Sequence, residues 1–342
     1  MLVSNMNHGL LGSTALSALL CLIPLCVHAQ PSFSDVPLTH PRYIAIEALK
    51  QVNVIQGYPD GTFKPERIVT RAEAVTLILR PLASAVQMES AKEISRYTDV
   101  PKDAWYAMYV ELARDKFGMI DGPPQTTAFS PSSPVNKAQF LKLLLRAYGV
   151  DPSRNYGEIT TPIASDVAKS ADWFYPYIRY AITASMEVVE KENVINPGKS
   201  LTRGEIARLL YDFLLYRQGA RTQFLLDTAE KQLIDALSFL QSHNTADGEF
   251  VTTRALLSSR GALARSPDEP IAKGAVKVSE GFKELFLADE AGANSAWADV
   301  TEHAGLAWHK AEEARAFGLD ALAVQIQEIA KKMADEARAQ MR

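Results

Sequence analysis

The sequence predicts a mainly α-helical protein, built as three helix-loop-helix repeats followed by a bundle of longer helices. Three observations predict it. A helix-start pattern, Thr70-Arg71-Ala72-Glu73, returns as Asn136-Lys137-Ala138-Gln139 and as Thr202-Arg203-Gly204-Glu205, each copy 66 positions after the one before. Aromatic-rich segments ahead of each copy carry apolar residues at three- and four-residue steps, the period of a helix with one buried face. Beyond residue 220 the composition turns rich in Ala, Leu, Glu and Lys, with no strand signal and no glycine-rich phosphate loop.

Taken from the start, residues 1–29 read as a secretory leader. An apolar run from Leu10 to Val27 ends in Val27-His28-Ala29, which suits cleavage before Gln30. The region ahead of the run has no Lys or Arg, and an uncleaved membrane anchor is the alternative. Both cysteines, Cys21 and Cys26, lie in this segment. A processed chain would therefore have no disulfide, no thiol chemistry and no Cys-based metal site. The formal net charge of −4 and pI near 5.9 give no global reason to bind nucleic acid. Divided after Ala220, the charges separate into 22 basic and 21 acidic residues before and 14 and 19 after, so the acidic excess is C-terminal.

The repeated part comprises 33–96, which includes a polar linker, then 97–152 and 164–217. Each copy opens on a Ser/Thr-Asp-Val signal at Asp35, Asp99 or Asp166, and the distances from that Asp to Arg71, Lys137 and Arg203 are 36, 38 and 37 residues. First helices are predicted over 43–52, 105–117 and 173–186. A loop follows, Gly57-Tyr58-Pro59-Asp60-Gly61-Thr62-Phe63-Lys64-Pro65 in the first copy. Its glycines predict positive φ, and Pro65 an extended backbone before it. The second copy keeps Gly122, Phe129 and Pro131. The third keeps Ile195 and Pro197 and has Lys191 where the first has Gly57. Second helices are predicted over 71–82, 137–148 and 203–216.

Those second helices begin at capping boxes formed by Thr70 and Glu73, Asn136 and Gln139, and Thr202 and Glu205. Asp35, Asp99 and Asp166 are expected as turn or cap residues. Capping does not require the basic residue between the partners, and a cation at the positive end of the helix dipole is unfavourable by itself. An anion held between Arg71, Lys137 or Arg203 and free backbone N–H groups would account for it. Gly57 and Gly61 would let backbone amides approach the same anion as Arg71, and Arg grips a carboxylate with a two-pronged fork that Lys lacks. The first copy is therefore expected to bind best.

The order Ser-Asp-Val-Pro, aromatic helix, Gly-Tyr-Pro-Asp-Gly-Thr-Phe-Lys-Pro and Val-Thr-Arg-Ala-Glu resembles the S-layer homology (SLH) domain family, most specifically in the first copy. The resemblance implies a pseudo-threefold arrangement of three lobes and non-covalent anchoring of an exported protein to anionic, often pyruvylated, cell-wall carbohydrate. The implied partner is a cell-wall polysaccharide or peptidoglycan-linked polymer, and the implied place is the cell envelope or surface. Trp105 and Trp173 suit a core position as well as a sugar platform. The first copy has His40-Pro41 where the family commonly has His-Trp, which leaves Tyr43 or Tyr58 for stacking there. The second copy has Lys137 for the family's Arg, and the third places Gly204 inside the helix start.

Residues 221–342 are predicted as a helical bundle, with helices over 224–243, 249–264, 271–288 and from 295 to the terminus, the last weakened at Gly305 and Gly318. Asn244 to Gly248 reads as a breaker. Glu302, His309 and Glu313 share a helical face but lack the spacing of carboxylate-bridged or zinc-protease sites, so neither a metal nor a cofactor is expected. No Gly-x-Ser-x-Gly elbow is present, and no enzyme is expected. The bundle is read as an interaction or structural module, with a protein partner or self-association through its helices. Two alternatives stay open: an enzymatic or ligand-binding activity in the bundle with the repeats as its anchor, and repeats that serve only as a protein scaffold.

Overall fold

The computed structural model describes residues 30–91, 96–120, 128–190 and 193–342. The expected leader, Gly122 and Lys191 lie outside these residues. Among the described residues the chain forms α1 (Tyr43–Gln51), α2 (Arg71–Leu79), α3 (Ala85–Ala91), α4 (Ala107–Asp115), α5 (Lys137–Ala147), α6 (Tyr175–Thr183), α7 (Arg203–Arg217), α8 (Thr222–Gln241), α9 (Thr245–Arg265), α10 (Pro270–Ala293), α11 (Trp297–Arg315) and α12 (Asp320–Gln340). β-Structure among them is confined to isolated bridges. The chain divides into two compact units, Met1–Asp151 with Gly198–Gln218, and Pro152–Pro197 with Gly219–Arg342. The segment expected as a third repeat is thus shared, α6 lying in the second unit and α7 in the first.

In the first unit the segments ahead of α2, α5 and α7 bond to one another in a ring. Val69 N donates to Leu201 O, Leu201 N to Val135 O and Val135 N to Val69 O, each at 3.0 Å. The three side chains are buried, so extended backbone that would otherwise be unpaired in the interior is satisfied without a sheet. Each segment then turns into its helix through a complete capping box. Thr70 N donates to Glu73 Oε2 at 2.9 Å, Asn136 N to Gln139 Oε1 at 3.2 Å and Thr202 N to Glu205 Oε2 at 2.8 Å. The reciprocal bonds to the Thr70, Asn136 and Thr202 side chains are also present. Helix α2 stops at Leu79 rather than at residue 82, because Pro81 has no N–H to continue the ladder. Part of the expected linker forms α3.

Loops are held by the recurrent aspartates. Asp35 accepts from Phe63 N at 2.8 Å and Lys64 N at 2.7 Å, and Asp99 from Phe129 N and Ser130 N, both at 2.7 Å. In the second unit Asp166 accepts from Ile195 N at 2.9 Å and Asn196 N at 2.7 Å. Lys64, Ser130 and Asn196 all have positive φ, 57°, 62° and 54°. A carboxylate taking two adjacent N–H groups fixes that left-handed corner, which a non-glycine residue rarely adopts alone.

A further recurrence sits at the fifth position of each first helix. Buried Glu47 accepts from Ser32 N at 2.8 Å, and buried Glu111 from Arg96 N at 2.8 Å. The third copy inverts the charge: buried Arg179 donates to Ile159 O, Pro152 O and Asn155 O at 3.1, 2.8 and 3.0 Å. Either way the helix ties down the backbone that leads into it.

The second unit is a helical bundle organised on α9, which is buried along most of its length. Gly261 permits close packing on α6, since a Cβ there would lie 2.0 Å from Thr183 O. Arg254 donates to Ile163 O at 3.0 Å and Asn193 Oδ1 at 2.7 Å, and burial pushes its guanidinium down to about 10. Ala304, Ala307, Ala311 and Ala314 of α11 form one buried core with Ala323, Ile326, Ala330 and Ala334 of α12. The last predicted helix is two, α11 and α12, parted where Gly318 takes φ +87°. The breaker expected over Asn244 to Gly248 is confined to the residues before Thr245: Asn244 caps α9, and Gly248 lies inside it, where a Cβ would meet the Phe286 ring at 2.1 Å.

Candidate functional site

The candidate residues gather in the first unit differently from expectation. Arg71, Lys137 and Arg203 each open a helix, but Arg71 does not share a site with the Gly57 loop. Its guanidinium lies over the Phe129 ring at 4.9 Å, and its backbone N donates to Ser133 O at 2.9 Å. Arg203 takes the place expected for Arg71. It lies over the Phe63 ring at 4.6 Å and the Tyr58 ring at 5.0 Å. Its Nε donates to Phe63 O at 2.9 Å and its Nη2 to Gln56 O at 3.0 Å. The ring explains the exchange: Arg203 N bonds to Arg67 O and Gly204 N to Pro65 O, which brings the start of α7 onto the first copy's loop. Gly204 is the residue that allows this, since a Cβ would sit 3.0 Å from Arg42 Cδ and 3.2 Å from Pro65 O.

The result is a composite cleft of about 270 Å³ lined by Gln56, Gly57, Tyr58, Glu73, Thr76, Arg80, Trp105 and Arg203, among others. Three sequence candidates, Gly57, Trp105 and Arg203, come together in it, one from each copy. Gly57 serves by absence of a side chain rather than by positive φ, because a Cβ would lie 2.3 Å from Phe33 Cε1 and 2.7 Å from Thr62 O. Gly61 does take φ +76° and shapes the turn, its N donating to Tyr58 O at 3.0 Å. Trp105 is 58% exposed and Trp173 52% exposed, so neither is a core residue. Trp105 lines the cleft and stacks edge-on with Tyr106, and Trp173 stacks edge-on with Phe174 and Tyr177 in the second unit. Lys137 is buried, with its backbone N donating to Lys199 O at 3.0 Å.

The cleft's lining carries Arg80 and Arg203 against Glu73. Besides Arg203, Lys64 Nζ sits 4.3 Å and Arg67 5.8 Å from the Tyr58 ring centre. Tyr58 therefore already carries cations on its ring, which leaves Trp105 as the free aromatic surface. Arg67 is matched by an ion pair with Glu73 and Lys64 by one with Asp60 at 3.0 Å. Burial holds the guanidinium of Arg203, like that of Arg71, below the ordinary arginine value. Nearby Glu205 shows the opposite balance: burial pushes its carboxyl up, but the Thr202 N–H, Lys199 and Arg42 outweigh this and hold it low. Thr76 Oγ1, buried on the α2 wall, has no hydrogen-bond partner among the described residues. Such a site can take an anion on the Arg203 fork and an apolar sugar face on Trp105.

Sequence reasoning missed the trading of loops between copies, which depends on contacts 140 residues apart. It also missed Glu47, Glu111 and Arg179, which lie 12, 12 and 13 residues after Asp35, Asp99 and Asp166.

A helical module whose capped helix starts hold cations against the loops of neighbouring copies is the class defined by this geometry. In the comparison with known proteins, residues 32–75 match the S-layer homology domain. Among similar proteins, an amylopullulanase of Thermoanaerobacterium thermosulfurigenes is 28% identical over 49% of this chain and 9% of its own length. The surface-layer 125 kDa protein of Lysinibacillus sphaericus is 26% identical over 48% of this chain and 13% of its own. The cellulosome-anchoring protein of Acetivibrio thermocellus is 30% identical over 34% and 26%. The chain thus spans about a quarter or less of the length of these relatives.

Proposed function

We propose that this chain is an exported cell-envelope protein held to the cell wall by its SLH domain, and that the Arg203 cleft is a contact for anionic wall carbohydrate. One observation carries the reading: a partly buried guanidinium, oriented by two carbonyls and without a carboxylate partner among the described residues, beside an exposed tryptophan. A partly desolvated cation with no carboxylate in direct contact favours an anionic ligand, and a carboxylate-bearing sugar, such as a pyruvylated one, offers the anion and the ring face together. The surface-layer and cellulosome-anchoring relatives support a wall polymer as the partner. The bundle is assigned the role of an interaction or structural module. Co-sedimentation of the full chain with cell-wall sacculi, before and after chemical removal of the secondary polymer, tests this. Binding is expected to untreated walls and to be lost on stripping; no sedimentation with untreated walls would sink the anchoring role.

A further inference from the structure

In the second unit a separate cleft of about 320 Å³ opens between α9 and α10, a volume within the range of small-molecule sites. Its apolar side is formed by Leu256, Phe286 and Leu287, and its charged side by Glu249, Glu290 and Lys283. Neighbouring hydroxyls are occupied, Thr253 Oγ1 by Thr161 Oγ1 at 2.8 Å and Thr245 Oγ1 by Asp289 Oδ2 at 3.0 Å. Thr252 differs. It is only 3% exposed, lines the cleft, and its Oγ1 has no hydrogen-bond partner among the described residues. Burial, followed by the charge of Glu290, pushes the Glu249 carboxyl up, with Lys283 acting against both. Two carboxylates against one lysine leave the lining short of a positive charge, and the unpaired hydroxyl leaves it short of a hydrogen-bonding partner.

We propose that this cleft binds a small organic cation: an ammonium group received by Glu249 and Glu290, with one N–H donated to Thr252 Oγ1 and an apolar body against Leu256 and Phe286. A metal ion fits less well, because no group of three or more His, Cys, Asp or Glu residues able to hold one occurs among the described residues. Isothermal titration calorimetry of the full chain with n-hexylammonium, 1-hexanol and hexanoate at neutral pH tests the assignment. Saturable binding of n-hexylammonium is expected, tighter than 1-hexanol by at least about tenfold, the scale of a partly desolvated charge contact, with no binding of hexanoate. Glu249→Gln, nearly isosteric, is expected to remove that preference while thermal unfolding stays cooperative, and Thr252→Val to weaken binding without abolishing it. Should Glu249→Gln fail to fold, Glu290→Gln takes its place with the same expectation. Equal affinity for the ammonium and the alcohol, no binding of any probe, or an ammonium preference that survives the Glu→Gln change in folded protein would each overturn the proposal.

Discussion

Arg203 and Arg71 hold the same position in the same kind of helix start, and each lies on a phenylalanine whose backbone N–H is fixed by an aspartate. They differ in what surrounds that shared frame. Arg203 is bonded through its side chain to two loop carbonyls and lines a cleft with Gly57 and Trp105, whereas the Arg71 guanidinium lies over the Phe129 ring. The comparison teaches that the chemistry of a helix start is set by the neighbouring copy. The loop that precedes it in its own copy is not the loop it meets.

The comparison can be broken most severely through the aspartates. Asp35→Ala removes the acceptor of two backbone N–H groups and is expected to cost about 2–4 kcal/mol in urea unfolding, the scale of charge-assisted hydrogen bonds left unmade. Asp99→Ala should cost a similar amount, but wall binding through the Arg203 cleft should survive only in Asp99→Ala. If both variants lose binding equally, the two frames are not independent. Gly57→Ala comes next. Its Cβ would overlap Phe33 and the Thr62 carbonyl, and about 1–3 kcal/mol of destabilisation is expected from overpacking, where an unperturbed denaturation midpoint would contradict the packing role.

Arg203→Ala is expected to weaken sedimentation with sacculi by about 1.5–3 kcal/mol in apparent affinity, as for a charged hydrogen bond, and Arg71→Ala by less. The reverse order would return the leading site to Arg71. Trp105→Ala should lower affinity by about 1 kcal/mol, an aromatic stacking contribution, while its exposure predicts an unchanged unfolding curve. The smallest effect concerns acid. Because Glu205 is held low in the folded state, its contribution is present above the unfolded carboxyl value near ~4.3 and is lost as pH falls through the still lower folded value. Glu205→Gln should therefore destabilise at neutral pH, with a penalty that shrinks as pH falls through the folded value; a penalty that stays constant into strong acid would deny the carboxylate its role.

Much of this was legible in the sequence for a physical reason. Caps and aspartate brackets are short-range devices with fixed residue chemistry, and Thr70, Asn136, Thr202, Asp35, Asp99 and Asp166 could be read from spacing. The pairing of Arg203 with Gly57 could not, because nothing local to either residue names its partner across the ring. Glycines misled in the same way. Gly57 and Gly248 were expected to turn the backbone, but both are required by a neighbouring aromatic ring, Phe33 and Phe286, that only the folded structure brings near. Gly318, where the backbone does turn, was visible as a weak point and proved to be a break.

The three backbone bonds joining Val69, Leu201 and Val135 have a last consequence. A stacked repeat array has two ends and can lengthen or shorten by whole units. Three segments that bond head to tail and return to the first have no end at which to add or remove one. Insertion of a further segment would have to open that circuit of three bonds before it could be accommodated.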